Sequence, residues 1–290
     1  MADICTPIGD IVMTVRGLAA TLPPGGGFFL AALWGLLVGS FTTVAVDRWP
    51  AIIEGRLPAN ALFLPGSRCS TCARPLTWPQ SLPLIGWLML RGRCACGQAR
   101  ISPRWPAMEL GGLVVMVGAL AVMPAGTPAD RVLLLMLFGG FLYVAALVDG
   151  FSAYLPDALT LGALWLGLVA AAMAPCGLDV IGAEAAILGA CLGWSVMAGV
   201  ASMGRALAGR EVLAAGDWKL MAAIGAWGGA ETVVSVALAG SLLAIVMAPL
   251  FDRFAMGEGD EKRGIPLGPG FSIVGLVTVV TDVSLIGSLF

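Results

Sequence analysis

Two aspartates at the edges of long apolar runs are the residues best placed to do chemistry. Asp149 follows the apolar run 132–148, and Asp217 precedes the run 220–227. An ionisable side chain at such a position is a candidate functional group, because a charge is costly to place inside a membrane. Two carboxylates that lie close together in a partly dry site cannot both ionise easily, so one acts as a base and the other as an acid. The pair therefore predicts amide hydrolysis by an aspartic-protease mechanism.

Three neighbours of these aspartates are candidate supporting residues. Gly150 and Gly216 lie beside them, and would either let the backbone open for an extended peptide or only end helices. Lys219 would either steady an ionised Asp217 or extend its ammonium group toward the membrane interface. Because Asp149 lies near the carboxyl end of its predicted helix and Asp217 near an amino end, we expect Asp217 to be the ionised base and Asp149 the protonated acid.

The composition is that of a protein with many membrane spans. Of 290 residues, 59% are hydrophobic and 12% are charged, which is more apolar surface than a soluble domain of this length needs to bury. Residues 1–24 lack the basic start and apolar core of a cleavable signal peptide, so we expect the first span to stay attached. Apolar runs of roughly 20 residues predict an all-α polytopic fold with about eight spans: 28–46, 107–123, 132–148, 158–174, 181–203, 215–229, 232–251 and 267–289.

Lysines and arginines are distributed unevenly among the predicted loops. Eight of the 16 lie in residues 47–106, three in 205–219 and three in 253–263, which leaves Arg16 and Arg131. Cytoplasmic loops carry the excess of positive charge in membrane proteins. We therefore predict three regions: an outward N-terminus with the first span (1–46), a cytoplasmic insertion (47–106) and a membrane domain with seven spans (107–290). Both chain termini would then be periplasmic, and both aspartates would lie on the cytoplasmic face.

Four cysteines in the predicted insertion have the spacing of metal ligands: Cys69, Cys72, Cys94 and Cys96. Two pairs of thiolates in a reducing compartment are typical of a structural zinc site, so we predict a zinc-ribbon-like insertion. The second pair has one intervening residue where two are usual, which leaves open a small loop domain with free thiols. Cys5 and Cys176 map to the outer side, where a disulfide is permitted but not indicated.

The residue types that are present exclude some other classes of function and leave others open. Histidine is absent, which excludes a histidine-based triad, a histidine metal ligand and a histidine general base. Nothing in the sequence suggests a nucleic-acid partner. Carboxylates at helix ends can also bind a coupling ion, as in a secondary transporter. The residues alone leave open that transporter, and also a non-enzymatic membrane scaffold that docks partners through its cysteine domain.

A series of motifs in order resembles the type IV prepilin peptidases, also called leader peptidase/N-methyltransferases. The resemblance covers nearly the whole chain and rests on these segments: 39–50, 67–72, 90–94, 101–110, Asp149 with 155–160, 210–220 and 265–269. Two features depart from the family pattern. Ala214 stands where the first glycine of the family's Gly-x-Gly-Asp motif is expected, and the second cysteine pair is one residue short.

This resemblance implies an aspartic endopeptidase of the bacterial inner membrane, with Asp149 and Asp217 as its catalytic residues. It implies a prepilin or pseudopilin substrate, cut at the cytoplasmic face of the lipid bilayer, and zinc bound by the four cysteines. It further implies methylation of the new amino terminus from S-adenosylmethionine. That last expectation rests on the resemblance alone, because the sequence has no glycine-rich strand-to-helix turn of a soluble α/β unit.

Overall fold

Helices make up the regular structure of the part of the chain that can be described. A computed structural model describes residues 2–64, 66, 68, 72, 74–94, 96, 100–209, 213–252 and 265–283. Within those residues the only strand-like pairing consists of two isolated bridges, so the all-α prediction is confirmed. The helices are α1 (Ala2–Ala20), α2 (Gly26–Ile53), α3 (Ile85–Met89), α4 (Arg104–Val122), α5 (Ala129–Ser152), α6 (Asp157–Ala172), α7 (Ala183–Ala208), α8 (Ala215–Ser235), α9 (Ser241–Asp252) and α10 (Gly268–Thr281).

Within the described residues, five helical segments are long and apolar enough to cross a membrane: Gly26–Ile53, Arg104–Val122, Ala129–Ser152, Ala183–Leu207 and Ala215–Asp252. Two shorter apolar helices, α6 and α10, accompany them. Each apolar run predicted from the sequence falls largely on one of these helices, which confirms a multi-pass membrane protein. The last run was predicted to reach residue 289, but α10 ends at Thr281 and residues 284–290 lie outside the described part.

The segment Ala215–Asp252 folds back on itself at Gly229. This residue has φ 72° and ψ −170°, a backbone conformation that is essentially restricted to glycine. A Cβ atom on Gly225 would lie 2.9 Å from Cγ2 of Val233, whereas residues eight apart in a straight helix are about 12 Å apart along its axis. The segment is therefore a helical hairpin, and its bend coincides with the predicted boundary between the sixth and seventh runs.

The first arm of this hairpin packs against α7 with the two backbones almost in contact. A Cβ atom on Gly189 would lie 2.1 Å from the carbonyl oxygen of Gly225, and one on Gly193 would lie 2.5 Å from that of Met221. Small residues at helix crossings permit such an approach, and packing of this kind holds membrane helices together. The interface fixes the position of α8, whose first turn carries Asp217.

Helix α1 was not predicted from the sequence, and it is fastened to the start of α5. Nε of Arg16 donates a hydrogen bond of 2.6 Å to Oδ1 of Asp130, and Nη2 of the same arginine donates to the carbonyl oxygen of Gly177 at 3.0 Å. A disulfide joins Cys5 to Cys176. The sequence permitted this disulfide without indicating it. Together these contacts attach α1 to one end of the helical unit that comprises residues 1–27 and 119–290.

Residues 28–118 form a second compact unit. Within it α2 and α4 cross at glycines, because a Cβ on Gly35 would lie 2.5 Å from the carbonyl oxygen of Gly112. Helix α2 continues through Pro50 to Ile53, so the polar segment that follows starts from a rigid helix end. The predicted insertion, residues 47–106, lies inside this unit, and its limits remain a prediction.

Candidate active site

Asp149 is buried in the last turns of α5, with 6% of its surface exposed. Its Oδ2 accepts a hydrogen bond of 2.8 Å from the backbone N–H of Gly268, the first residue of α10. A Cβ atom on Gly268 would lie 2.6 Å from that same oxygen. The residue at position 268 must therefore lack a side chain for this hydrogen bond to form.

Asp217 is the third residue of α8 and is 7% exposed. Its Oδ2 accepts a hydrogen bond of 3.1 Å from the backbone N–H of Ala214, so the carboxylate caps the start of its own helix. Ala214 has φ −76° and ψ 151°, an extended conformation open to any residue. Alanine in place of the family's glycine therefore introduces no backbone strain at this position.

The two aspartates are close enough for their charges to interact, although they come from helices that are far apart in the sequence. Among the described residues neither forms an ion pair. Each instead accepts one backbone N–H at the start of a helix, α10 for Asp149 and α8 for Asp217. From the helix ends we expected only Asp217 to lie at an amino terminus. Because Asp149 also accepts a hydrogen bond from the start of a helix, the helix ends do not distinguish base from acid, and the assignment stays a prediction.

The predicted supporting glycines lie where helices approach closely. A Cβ on Gly150 would lie 2.3 Å from the ring of Phe251, and one on Gly216 would lie 2.6 Å from Cβ of Leu155. Both glycines are inside helices, α5 and α8. Each glycine therefore allows a neighbouring side chain to pack against the backbone next to an aspartate. A role in opening the backbone for substrate stays a prediction.

Lys219 forms an ion pair with Asp157 at the start of α6. One of the two roles that we expected for Lys219 was to steady Asp217, and the structure does not show that pair. Nζ of Lys219 lies 2.5 Å from Oδ1 of Asp157. Residues two apart on a helix project to nearly opposite sides, so Lys219 and Asp217 cannot share a face. This ion pair links the first turns of α6 and α8, next to Asp217.

Two polar side chains near Asp149 and Asp217 were not predicted from the sequence as site residues. Ser272 lies one turn beyond Gly268 on α10 and is 3% exposed, and its hydroxyl has no hydrogen-bond partner among the described residues. The indole N–H of Trp218, next to Asp217, is likewise buried and unpaired there. Their residue types are common in membrane helices, so no sequence signal would have identified them.

Three of the four predicted metal ligands come together in the second unit. The Sγ atoms of Cys72, Cys94 and Cys96 all lie within 4.8 Å of one another. The Cys72–Cys94 distance is 3.8 Å, which equals the separation of about 3.8 Å between two sulfurs of a tetrahedral site with Zn–S bonds of about 2.3 Å. Cys69 lies outside the described residues. The thiolates present therefore fit a tetrahedral metal such as zinc.

The backbone around these cysteines supports the same geometry. Arg68 and Pro75 form an antiparallel bridge around the first pair, and Arg93 and Arg100 form another around the second. Each bridge closes a short hairpin, with Cys72 inside the first and Cys94 and Cys96 inside the second, as in the knuckles of a zinc ribbon.

Comparison with known proteins shows which family the chain belongs to. The profile described as "Type IV leader peptidase family" matches residues 136–249, and the profile described as "Bacterial Peptidase A24 N-terminal domain" matches residues 33–123. A protein of Klebsiella pneumoniae named "Prepilin leader peptidase/N-methyltransferase" is 39% identical over 77% of this chain and 94% of its own length. The chain belongs to the type IV leader peptidase family.

Other relatives carry names that indicate the same family. A protein with the same name from Stutzerimonas stutzeri is 34% identical over 87% of this chain and 90% of its own length. An Escherichia coli protein named "Type 4 prepilin-like proteins leader peptide-processing enzyme" is 31% identical over 86% and 92% of the two chains. No solved structure matches significantly. The leader peptidase profile contains both aspartates, and the N-terminal profile contains the cysteine cluster.

Proposed function

We propose that this leader peptidase cleaves peptide bonds with Asp149 and Asp217 as a dyad that activates water. The observation that supports the proposal is that two buried carboxylates from α5 and α8 are close enough for their charges to interact, and each is held through Oδ2 by one backbone N–H. We assign the Oδ1 atoms to the attacking water. One carboxylate takes a proton from that water, and the other, protonated, donates to the departing amide nitrogen.

The substrate that the relatives' names support is a prepilin or pseudopilin, cut between its leader peptide and its apolar helix. The same names support N-methylation, and we propose that it takes place at the new amino terminus with S-adenosylmethionine as the donor. A helical substrate hides its amides in its own hydrogen bonds, so the segment to be cut must be extended at the dyad. The names support this enzyme over the ion transporter and the scaffold that the residues alone left open.

The cytoplasmic side of the inner membrane is the proposed location of the cut. Helix α5 begins beside the Cys5–Cys176 disulfide, because Asp130 binds Arg16 there, and it ends at Asp149. Disulfides persist in an oxidising compartment such as the periplasm. The opposite end of α5 then faces the reducing cytoplasm. Eight spans, counting the two arms of the hairpin separately, would place both chain termini in the periplasm.

Zinc is the metal proposed for the cysteine cluster, with Cys69 as the fourth ligand beside Cys72, Cys94 and Cys96. The metal would hold the two hairpins of the insertion together, a structural role typical of four-thiolate sites. Purified protein should contain about one zinc per chain, and Cys94→Ser should lose it. A wild-type protein free of zinc and other metals after purification without chelators would exclude the site.

The dyad is tested by cleavage of a prepilin in detergent or liposomes by Asp149→Asn and Asp217→Asn. The matched control is Asp130→Asn, which changes an equally buried aspartate at the other end of α5. We expect each dyad variant to lose at least about a hundredfold in kcat. The control should be less stable, because it loses the ion pair to Arg16, but it should cleave at the wild-type rate. A folded Asn variant that cleaves at the wild-type rate would rule out the dyad.

A further inference from the structure

Helix α1 lies outside the parts of the chain to which leader cleavage gives a role. It precedes both matched profiles, which begin at residues 33 and 136. Its 19 residues make it about 28 Å long at 1.5 Å per residue, but it is not among the segments that qualify as membrane spans by length and composition. A disulfide and an ion pair nevertheless fasten it to its unit.

Three contacts spread along α1 reach the same two residues of the loop after α6. The disulfide brings Cα of Cys5 to 4.7 Å from Cα of Cys176, and a Cβ atom on Gly9 would lie 3.7 Å from the carbonyl oxygen of that cysteine. Nη2 of Arg16 donates to the carbonyl oxygen of the next residue, Gly177. Positions 5 and 16 are about 16 Å apart along the helix axis. A helix that ran alongside α5 would carry one of these positions away from the loop by that distance, so α1 lies across the end of the unit.

One exposed face of α1 is apolar. Val12 is buried, whereas Ile11 and Leu18 are 63% and 68% exposed. Together with the exposed Pro7 they are spaced by four and seven residues, which places all three on the same face of the helix. This face is distinct from the one that carries the disulfide and the ion pair.

A second exposed face of α1 is polar. Asp10, Thr14 and Gly17 are spaced by four and three residues and are all exposed. The hydroxyl of Thr14 donates to the carbonyl oxygen of Asp10. Met13 is an exposed apolar side chain that points away from the apolar face. The exposed surface of α1 is therefore divided between groups that favour lipid and groups that favour water.

The end of the unit across which α1 lies adjoins the surface of a membrane span. Helix α5 crosses the membrane, and Asp130, the partner of Arg16, is in its first turn. Leu133, three residues further on, is about half exposed, so the lipid-facing surface of α5 begins within one turn of the ion pair. A helix at this level meets both water and the acyl chains, which is the position that a divided surface suits.

We propose that α1 is an interfacial helix that docks on the phospholipid bilayer, with Ile11 and Leu18 in the lipid and Asp10 and Thr14 in water. The proposed topology makes this the outer leaflet, but the docking itself does not depend on the side. The apolar face enters about 5–10 Å into the boundary between headgroups and acyl chains. Through the disulfide and the Arg16–Asp130 ion pair, α1 then fixes the level of the start of α5 in the membrane. This role goes beyond peptide cleavage and stands without it.

The test uses the full-length protein in liposomes with an environment-sensitive fluorescent amino acid at position 10, 11, 14 or 18 in turn. This label leaves every cysteine in place, and all four side chains are exposed, so the substitution does not disturb packing. Phospholipids brominated on their acyl chains should quench the label at positions 11 and 18 at least about twofold more strongly than at 10 and 14. Aqueous iodide should show the opposite preference. Position 133 on α5 is the control for a lipid-facing site.

Three outcomes would overturn the assignment. Equal quenching by iodide at all four positions would place α1 in water, and protection of all four from iodide would make it a membrane span. Protection of positions 11 and 18 from both quenchers would show that a protein, and not lipid, covers the apolar face. Resistance of Cys5 and Cys176 to maleimide shows that each labelled protein has kept α1 fastened.

Discussion

Replacing Gly268 with alanine tests how the dyad is held. A Cβ at this position would lie 2.6 Å from Oδ2, 2.9 Å from Cβ and 3.0 Å from Cγ of Asp149. Contacts this short force the Asp149 carboxylate to move, and the hydrogen bond of 2.8 Å from the Gly268 N–H is then lost. The α10 backbone itself tolerates alanine, since alanine is the better helix former. Because Cβ of Asp149 is fixed to the α5 backbone, α5 and α10 must also separate slightly at this point.

The size of the effect follows from the bond that is lost. A hydrogen bond to a charged group contributes about 1.5–3 kcal/mol. If that contribution is made in the transition state, a factor of ten for each 1.36 kcal/mol gives a decrease in kcat of roughly 10- to 150-fold. The decrease should be smaller than that of Asp149→Asn, because the carboxylate is displaced but remains able to transfer a proton.

The assay is prepilin cleavage in detergent with kcat and KM measured separately, beside a thermal unfolding curve for each variant. Gly199→Ala is the matched control, because it lies inside helix α7 and a Cβ at this position would meet no atom within 4 Å. We expect the control to cleave nearly as fast as the wild type. A stably folded Gly268→Ala with the wild-type kcat would show that the backbone N–H of Gly268 does not position Asp149 for catalysis.

Two other substitutions and one labelling experiment give distinct expectations. Lys219→Met removes the ion pair with Asp157, which as a partly exposed pair contributes about 0.2–1 kcal/mol, so prepilin cleavage should change little; a hundredfold loss would instead support a direct role beside the dyad. Gly229→Ala places a side chain in a glycine-only conformation at a cost of about 1–3 kcal/mol, so the midpoint of thermal unfolding should fall, and an unchanged midpoint would contradict the helical hairpin. In intact cells Cys5 and Cys176 should resist maleimide until a reductant is added, and labelling of Cys5 without reductant would argue against the disulfide.

The helices and the position of the dyad could be predicted because membrane burial leaves a strong signal in the sequence. A span needs an uninterrupted apolar run, and a carboxylate at its edge is conspicuous. Asp149 and Asp217 are each found at the helix end where the sequence placed them. The bend at Gly229 also coincides with a predicted boundary, because the glycine and the following polar Glu231 interrupt the apolar run.

Interactions between distant segments could not be predicted in the same way. The disulfide joins residues 171 apart, and no local pattern states that α1 returns to the loop after α6. Helix α1 itself carries too weak an apolar signal to appear as a span. The partner of Lys219 depends on which side of α8 meets α6, and that follows from the packing of α7 against α8 through Gly189 and Gly225. The N–H that holds Asp149 comes from a helix 119 residues later in the chain.

The length of helix α5 indicates how deep in the membrane the dyad lies. Asp130 and Asp149 lie 19 residues apart on this one helix, which at 1.5 Å per residue is about 28 Å. The hydrocarbon core of a bilayer is about 30 Å thick. If the disulfide and the Arg16–Asp130 ion pair mark the outer surface, the dyad lies at the opposite surface and not at the midplane. Water can reach such a site from the cytoplasm, and the apolar helix of the substrate can stay in the bilayer while its leader is removed.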